Sequence, residues 1–127
     1  MTENEIGTIV VESAIEIHRE LGPGLLESVY EVVLADELGR RGLKVGRQVP
    51  VPIVFQGRRF DEGFRADIVL DGKVILEFKS VEHVTPAHKN QIQSYIRLKG
   101  CKLGYLLNFG EVLMKNGITR AVNHLEE

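Results

Sequence analysis

Arg65-Ala66-Asp67-Ile68-Val69-Leu70-Asp71-Gly72-Lys73-Val74-Ile75-Leu76-Glu77-Phe78-Lys79 reads as two strands folded back on each other at Asp71-Gly72, a strong hairpin signal. Successive side chains of a strand point to opposite faces. Ile68 and Leu70 therefore share a face of the first strand, and Val74, Leu76 and Phe78 share a face of the second. All five are apolar, which predicts that both sets face a core. They reach the same side only if paired residue numbers sum to an even value. A three-residue loop with a bulged glycine, such as Leu70-Asp71-Gly72, or a local strand distortion with the same effect, meets that condition. A two-residue Asp-Gly turn would put Asp67 and Glu77 on opposite faces. With the longer loop, Asp67, Glu77 and Lys79 converge on the side away from the core. Two carboxylates held that close repel unless a proton or a cation lies between them. Oxygen ligands of this kind suit Mg²⁺ or Mn²⁺, which take one or two carboxylates and keep several waters. Lys79 projects toward the same spot, where an ammonium can orient an attacking water or offset charge on a transferring phosphoryl group. The alternation by itself equally describes an amphipathic hairpin whose polar face is merely solvated.

Outward from the hairpin, the period of the apolar residues changes. Residues 44–55 are rich in valine and isoleucine, with Pro50 and Pro52 requiring an edge position or a bend, and Gln56-Gly57-Arg58 reads as a turn. Strands are expected over 64–70 and 73–79. Further back, Ile6, Ile9, Val10, Ala14, Ile17 and Leu21 recur at helical spacing over residues 3–21, and Gly22-Pro23-Gly24 breaks that helix. A second helix is expected over 25–40, with Leu26, Val29, Tyr30, Val33, Leu34 and Leu38 as its apolar stripe and Gly42 as its stop. On the C-terminal side Thr85-Pro86 opens a third helix, with threonine as N-cap and proline at its first position, running to about Leu98 and stopping at Gly100. Residues 103–109 form a compact apolar strand, and a weaker one is expected at 118–122. Helix, helix, three strands, helix, strand and a final strand give an α/β fold, a mixed central sheet flanked by helices.

Length and composition set the outer limits. The chain has 127 residues, 43% hydrophobic and 27% charged, which predicts one folded domain spanning 1–127. No apolar run approaches the roughly 20 residues needed to span a bilayer, so no membrane partner is expected. The opening MTENEIGTIV lacks the basic and apolar regions of a secretory signal, and Cys101 is the lone cysteine, which excludes an internal disulfide and predicts a cytoplasmic protein. A net charge of −2 is not that of a protein that coats nucleic acid by bulk electrostatics. Any phosphate-facing surface must be local. Arg40, Arg41, Lys44 and Arg47 form one basic cluster, and Arg58 and Arg59 another, although solvated helix ends and turns produce such clusters too.

Two helices carry further candidates. On a 100° wheel Glu27 projects between Leu34 and Leu38, inside the apolar arc, where a carboxylate must be neutralised, paired or bound to metal. Glu37 falls within the same arc. Gln91 and Tyr95, four residues apart, share a face of the third helix with Ala87 and Leu98. A semi-buried amide and phenol can position a phosphate, and can equally satisfy hydrogen bonds in a core.

Together these residues resemble a known family. Gly24-Leu25-Leu26-Glu27-Ser28-Val29-Tyr30 has the form G-x-x-E-x-x-Y and is similar to the motif that names the GxxExxY proteins, and Ile17-His18-Arg19-Glu20-Leu21-Gly22-Pro23 resembles their usual lead-in. The similarity runs from about residue 6 to 122. That family is placed in the PD-(D/E)XK nuclease superfamily, which implies a restriction-endonuclease-like αβββαβ core with, here, an extra N-terminal helix. By this resemblance Asp67 corresponds to the superfamily's aspartate, and Glu77 and Lys79 to its Glu-x-Lys pair. Glu27 resembles the extra acid that some branches supply from the first core helix, and Gln91 to Tyr95 the Q-x-x-x-Y helix of the exonuclease-like branch. Ala66 stands where the superfamily's name shows proline, a commonly relaxed position. The implied activity is Mg²⁺-dependent (or Mn²⁺-dependent) hydrolysis of phosphodiester bonds in DNA or RNA. Asp67, Glu77 and Glu27 would hold metal, Lys79 would assist water, and Gln91 and Tyr95 would orient substrate or the lysine.

Other residues signal less. His18, at the edge of its apolar face, suits a site-supporting or a structural role; His83 and His88 lack the partners of a zinc site; Cys101 has no activating neighbour. The alternative to a nuclease is a non-catalytic module that retains the fold for binding nucleic acid or protein. A homo-oligomer is compatible with the apolar edge strands.

Overall fold

A computed structural model describes residues 1–126. Its order is α1 (Glu3–Leu21), α2 (Glu27–Arg40), β1 (Val45–Phe55), β2 (Arg58–Leu70), β3 (Val74–Lys79), α3 (Pro86–Lys99), β4 (Leu103–Asn108), a 3-10 turn (Met114–Gly117) and β5 (Ile118–Val122). The five strands lie side by side in chain order, all neighbours antiparallel except β3 and β4. This is the mixed α/β sheet expected, with β1 at an edge, as its two prolines require. Among the described residues no helix is long and apolar enough to cross a membrane.

The sheet buries both faces. On one, Ile68, Leu70, Val74, Leu76 and Phe78 pack with Ile6, Val10 and Ala14 of α1 and Tyr30, Leu34 and Leu38 of α2. On the other, Val69, Ile75 and Leu106 pack under Ile92 and Ile96 of α3. The side bearing Asp67, Glu77 and Lys79 is therefore not free of a core, as the hairpin alone suggested, but is roofed by α3. Gly104 lets that roof sit close, since a Cβ there would press on Ile96 and Ile92. Thr85 caps α3 with its side chain, Pro86 leads it, and Gly100 closes it at φ 76°, as the sequence predicts.

Register decides the faces. Ile68 pairs with Leu76, Val69 with Ile75 and Leu70 with Val74, so pair numbers have an even sum. The loop is Asp71-Gly72-Lys73, one residue later than expected. Asp71 and Gly72 adopt φ 50° and 67°, a mirror-image turn closed by Lys73 N–H on the Leu70 carbonyl. Lys73 is the extra residue that keeps the parity. Asp71 also accepts the Lys44 N–H at 2.7 Å, which ties the turn to the start of β1.

Three other expectations are corrected. β2 begins at Arg58, not at 64, because it continues past the sheet as a ribbon paired only to β1 and closed at Gln56-Gly57. The buried face of α2 is Tyr30, Glu31, Leu34, Ala35 and Leu38, while Leu26, Val29 and Val33 are exposed. In α3 the buried residues are Ile92 and Ile96, and Ala87 and Leu98 are exposed.

Candidate metal centre

The ladder between β2 and β3 stops at Ile68 and Leu76, and the next positions are Asp67 and Glu77. There side-chain carboxylates take over from backbone carbonyls. Asp67 Oδ2 accepts the Phe78 N–H at 2.9 Å, and Glu77 Oε1 accepts the Asp67 N–H at 3.4 Å. The two acids are thus held side by side where the strands part. Glu77 is 6% exposed. Its burial, and next the charge of Asp67, push its carboxyl up to about 9, with Lys79 pulling weakly the other way. Glu77 in the metal-free protein holds a proton that a divalent cation would displace.

α3 closes the site. Gln91 donates to the Tyr95 hydroxyl at 2.9 Å, and the Tyr95 ring stacks on Phe64 of β2 with centroids 3.8 Å apart. Burial raises the Tyr95 pKa, with the charge of Asp67 a smaller contribution, so the phenol stays protonated beside the two acids. Asp67, Glu77 and Tyr95 lie close enough to influence one another on this side of the sheet, with Gln91 on the Tyr95 hydroxyl and Lys79 two residues beyond Glu77.

Glu27 does not join them in the way its helical wheel suggests. It is exposed in the first turn of α2, in a cleft shared with Gly24 and Ser80, at the end of β3 just past Lys79. Its exposure corrects the expected place inside the apolar arc of α2. The buried carboxylate of α2 is one turn further on. Glu31, also 6% exposed, accepts from Arg47 at 3.0 Å and from Gln48 Nε2 at 2.9 Å. The same Gln48 nitrogen reaches Asp67 Oδ1 at 3.3 Å. Gln48 has φ 50°, a left-handed backbone that non-glycine residues seldom adopt. At this point the ribbon swaps faces: Ile68 lies in the α1–α2 core, while Val49 and Ala66 lie in the α3 core. Arg47, Gln48 and Glu31 thus form a relay from α2 to Asp67. Sequence spacing gave no sign of it, since the three meet only through tertiary contacts.

The three arginines of the first basic cluster are paired with neighbouring carboxylates. Arg40 pairs with Asp36, Arg41 with Glu16 and Arg47 with Glu31. Glu37 lies beside Arg41 at 3.9 Å. His18 is structural in its contacts: buried, it donates from Nε2 to the Glu111 carbonyl at 2.7 Å. Cys101 is buried and its thiol pKa is raised by that burial, which leaves it inert. The GxxExxY-like segment has a clear local role, since the Tyr30 hydroxyl donates to the Gly22 carbonyl and accepts from the Leu25 N–H, bracing the elbow between α1 and α2.

The donor set fits a hard cation. Two adjoining carboxylates, one of them buried and, among the described residues, without a basic partner at hydrogen-bond distance, match what Mg²⁺ or Mn²⁺ takes from protein. No group of three or more His, Cys, Asp or Glu side chains among the described residues is placed to enclose a metal. Such a site must leave most coordination positions to water and substrate. The family model of the PD-(D/E)XK nuclease superfamily matches residues 4–121. The chain belongs to that superfamily. No curated protein and no solved structure matches it. Membership of the PD-(D/E)XK superfamily accounts for the fold and for an acidic pair followed by lysine, and superfamily members are generally nucleases that act on nucleic acid and use divalent metals.

Proposed function

We propose that this PD-(D/E)XK protein is a Mg²⁺- or Mn²⁺-dependent nuclease of the GxxExxY branch, hydrolysing phosphodiester bonds in DNA or RNA. The observation that carries the reading is the pairing of buried Glu77 with Asp67 where the strands part, with Lys79 two residues on. Asp67 and Glu77 would hold the ion, with Glu27 as a partner reached through water from the rim. When bound, the cation supplies charge stabilisation to the phosphate oxygens as negative charge builds on them. Asp67 is held in place by Phe78 N–H and by Gln48, so its free lone pairs keep a fixed direction. Glu77 gives up its proton on loading. Lys79 would orient the water that attacks phosphorus; that water loses a proton to solvent, the bond to the leaving oxygen breaks and that oxygen takes a proton from solvent, while the ammonium offsets the added charge. Tyr95, fixed by Phe64 and Gln91, presents a hydroxyl that can hold a phosphate oxygen.

Purified protein should cleave a labelled oligonucleotide in Mn²⁺, and Lys79→Ala should lower cleavage by about a hundredfold or more while leaving Mn²⁺ affinity and the circular-dichroism spectrum unchanged. Binding of nucleic acid that survives both chelation and Glu77→Gln, with no cleavage of single-stranded, duplex or branched substrates, would instead make the chain a non-catalytic binding module.

A further inference from the structure

The outer part of the β1–β2 ribbon has a face that cleavage chemistry leaves unused. β3 meets β2 only at residues 68–70, and beyond them β2 pairs with β1 alone. The ribbon is re-aimed by an irregularity between Val51 and Ile53, beside Gly63, where a Cβ would collide with the Val51 carbonyl. Past that bend Phe55 pairs with Arg58 and Ile53 with Phe60, which sets Phe55, Arg58 and Phe60 on one face. The Arg58 guanidinium lies 5.8 Å from the Phe55 ring centre and 5.9 Å from that of Phe60. Both rings are open to solvent, at 55% and 47% exposure. Arg59 and its partner position Val54 take the opposite face, where Arg59 is engaged by Asp61 at 2.7 Å. Glu62 falls in the irregular stretch below the rings. Among the described residues Arg58 has no carboxylate partner within ion-pair distance.

We propose that this aromatic–cation–aromatic face is a docking surface for an unpaired stretch of nucleic acid, with bases stacked on Phe55 and Phe60 and a phosphate on Arg58. The choice of ligand rests on the nuclease reading. At the ribbon tip Arg58 stands between the two rings while the opposite face holds the mutually neutralising Arg59–Asp61 pair, so the ring-bearing face suits a polyanion. Rings gain from stacking only where base faces are free, which a duplex denies them. The ribbon is continuous with the metal centre. Phe64 at its base stacks on Tyr95, and Phe60 precedes Asp67 by roughly 23 Å of extended strand. A single strand held at the tip and lying along β2 reaches the carboxylates.

The test is fluorescence anisotropy with a labelled oligothymidylate of about 20 nucleotides in EDTA, which separates docking from cleavage. Wild-type protein should bind it, and Phe55→Ala/Phe60→Ala should weaken binding about tenfold or more. Arg58→Ala should reduce the salt dependence by about one phosphate contact. The double variant should keep its melting temperature and its Mn²⁺ affinity, which excludes misfolding as the cause. Unchanged affinity in the double variant, tighter binding to a duplex of equal length, or a wild-type dimer that the double variant splits into monomers would each overturn the proposal. Loss of oligothymidylate affinity in the double variant, in a protein that binds no Mn²⁺ at Asp67 and Glu77, would support the docking face and sink the nuclease reading.

Discussion

Glu77 couples acidity to folding in a direction opposite to that of ordinary surface carboxylates. Its folded pKa, about 9, lies above the ordinary 4.5 that the unfolded chain restores. The proton is therefore bound more tightly in the folded state. Its contribution to stability is complete below the unfolded value and is lost as pH rises through about 9. Metal-free Glu77→Gln, which cannot ionise, should flatten the decline in urea stability between about pH 6 and pH 8.5, and an unaltered slope would show that Glu77 is not the titrating group. Gln48 offers a second residue-scale test. Gln48→Gly suits the φ of 50° but removes the amide that steadies Asp67. Calorimetry should show Mn²⁺ affinity down roughly tenfold to a hundredfold with little loss of stability, and full-strength binding would refute the orienting role.

At the scale of elements, α3 is the part that encloses the proposed metal site. It rests on Gly104 through Ile92 and Ile96, and carries Gln91 and Tyr95 over the carboxylates. Gly104→Val should lift the helix, cost about 1–3 kcal/mol of stability, and suppress cleavage more than it weakens Mn²⁺ binding, because both proposed ligands stay on their strands. Denaturation and calorimetry on the one variant check both halves; wild-type cleavage would mean that α3 need not sit so close. The start of this helix was readable, since Thr85 and Pro86 act locally. So was the parity of the hairpin, which five apolar side chains dictate. The carboxylate of α2 was not. Glu27 and Glu31 are one helical turn apart and nearly aligned, and no local pattern says which of the two the fold buries. Nor could the swap of faces at Gln48 be read, because alternation presumes an unbroken ladder, and the ribbon's length beyond residue 64 was hidden by its Arg-Arg-Phe-Asp-Glu run.

For the molecule as a whole, the acidic pair is a local weakness that loading should remove. Mn²⁺ at about a hundred times its dissociation constant should stabilise the fold by about 2.7 kcal/mol, read as a rise in melting temperature that Asp67→Asn abolishes. A rise that persists in that variant would place the ion elsewhere. The fold itself distributes its support over two cores, one on each side of the sheet, so the acids can be left under-compensated in the seam without loosening the rest.

Lys73 illustrates how the chain's arithmetic constrains its history. Its side chain reaches no farther than the Met1 carbonyl, and almost any residue could stand there. Its presence as a counted unit is another matter. Removing it would leave a plain two-residue turn and rotate β3 by half a repeat, sending Glu77 and Lys79 beneath the opposite layer of helices and bringing Phe78 to face Tyr95. Among descendants of this sequence, identity at that position is free to drift, whereas an odd-numbered insertion or deletion in the bend would dismantle the proposed metal site in one event.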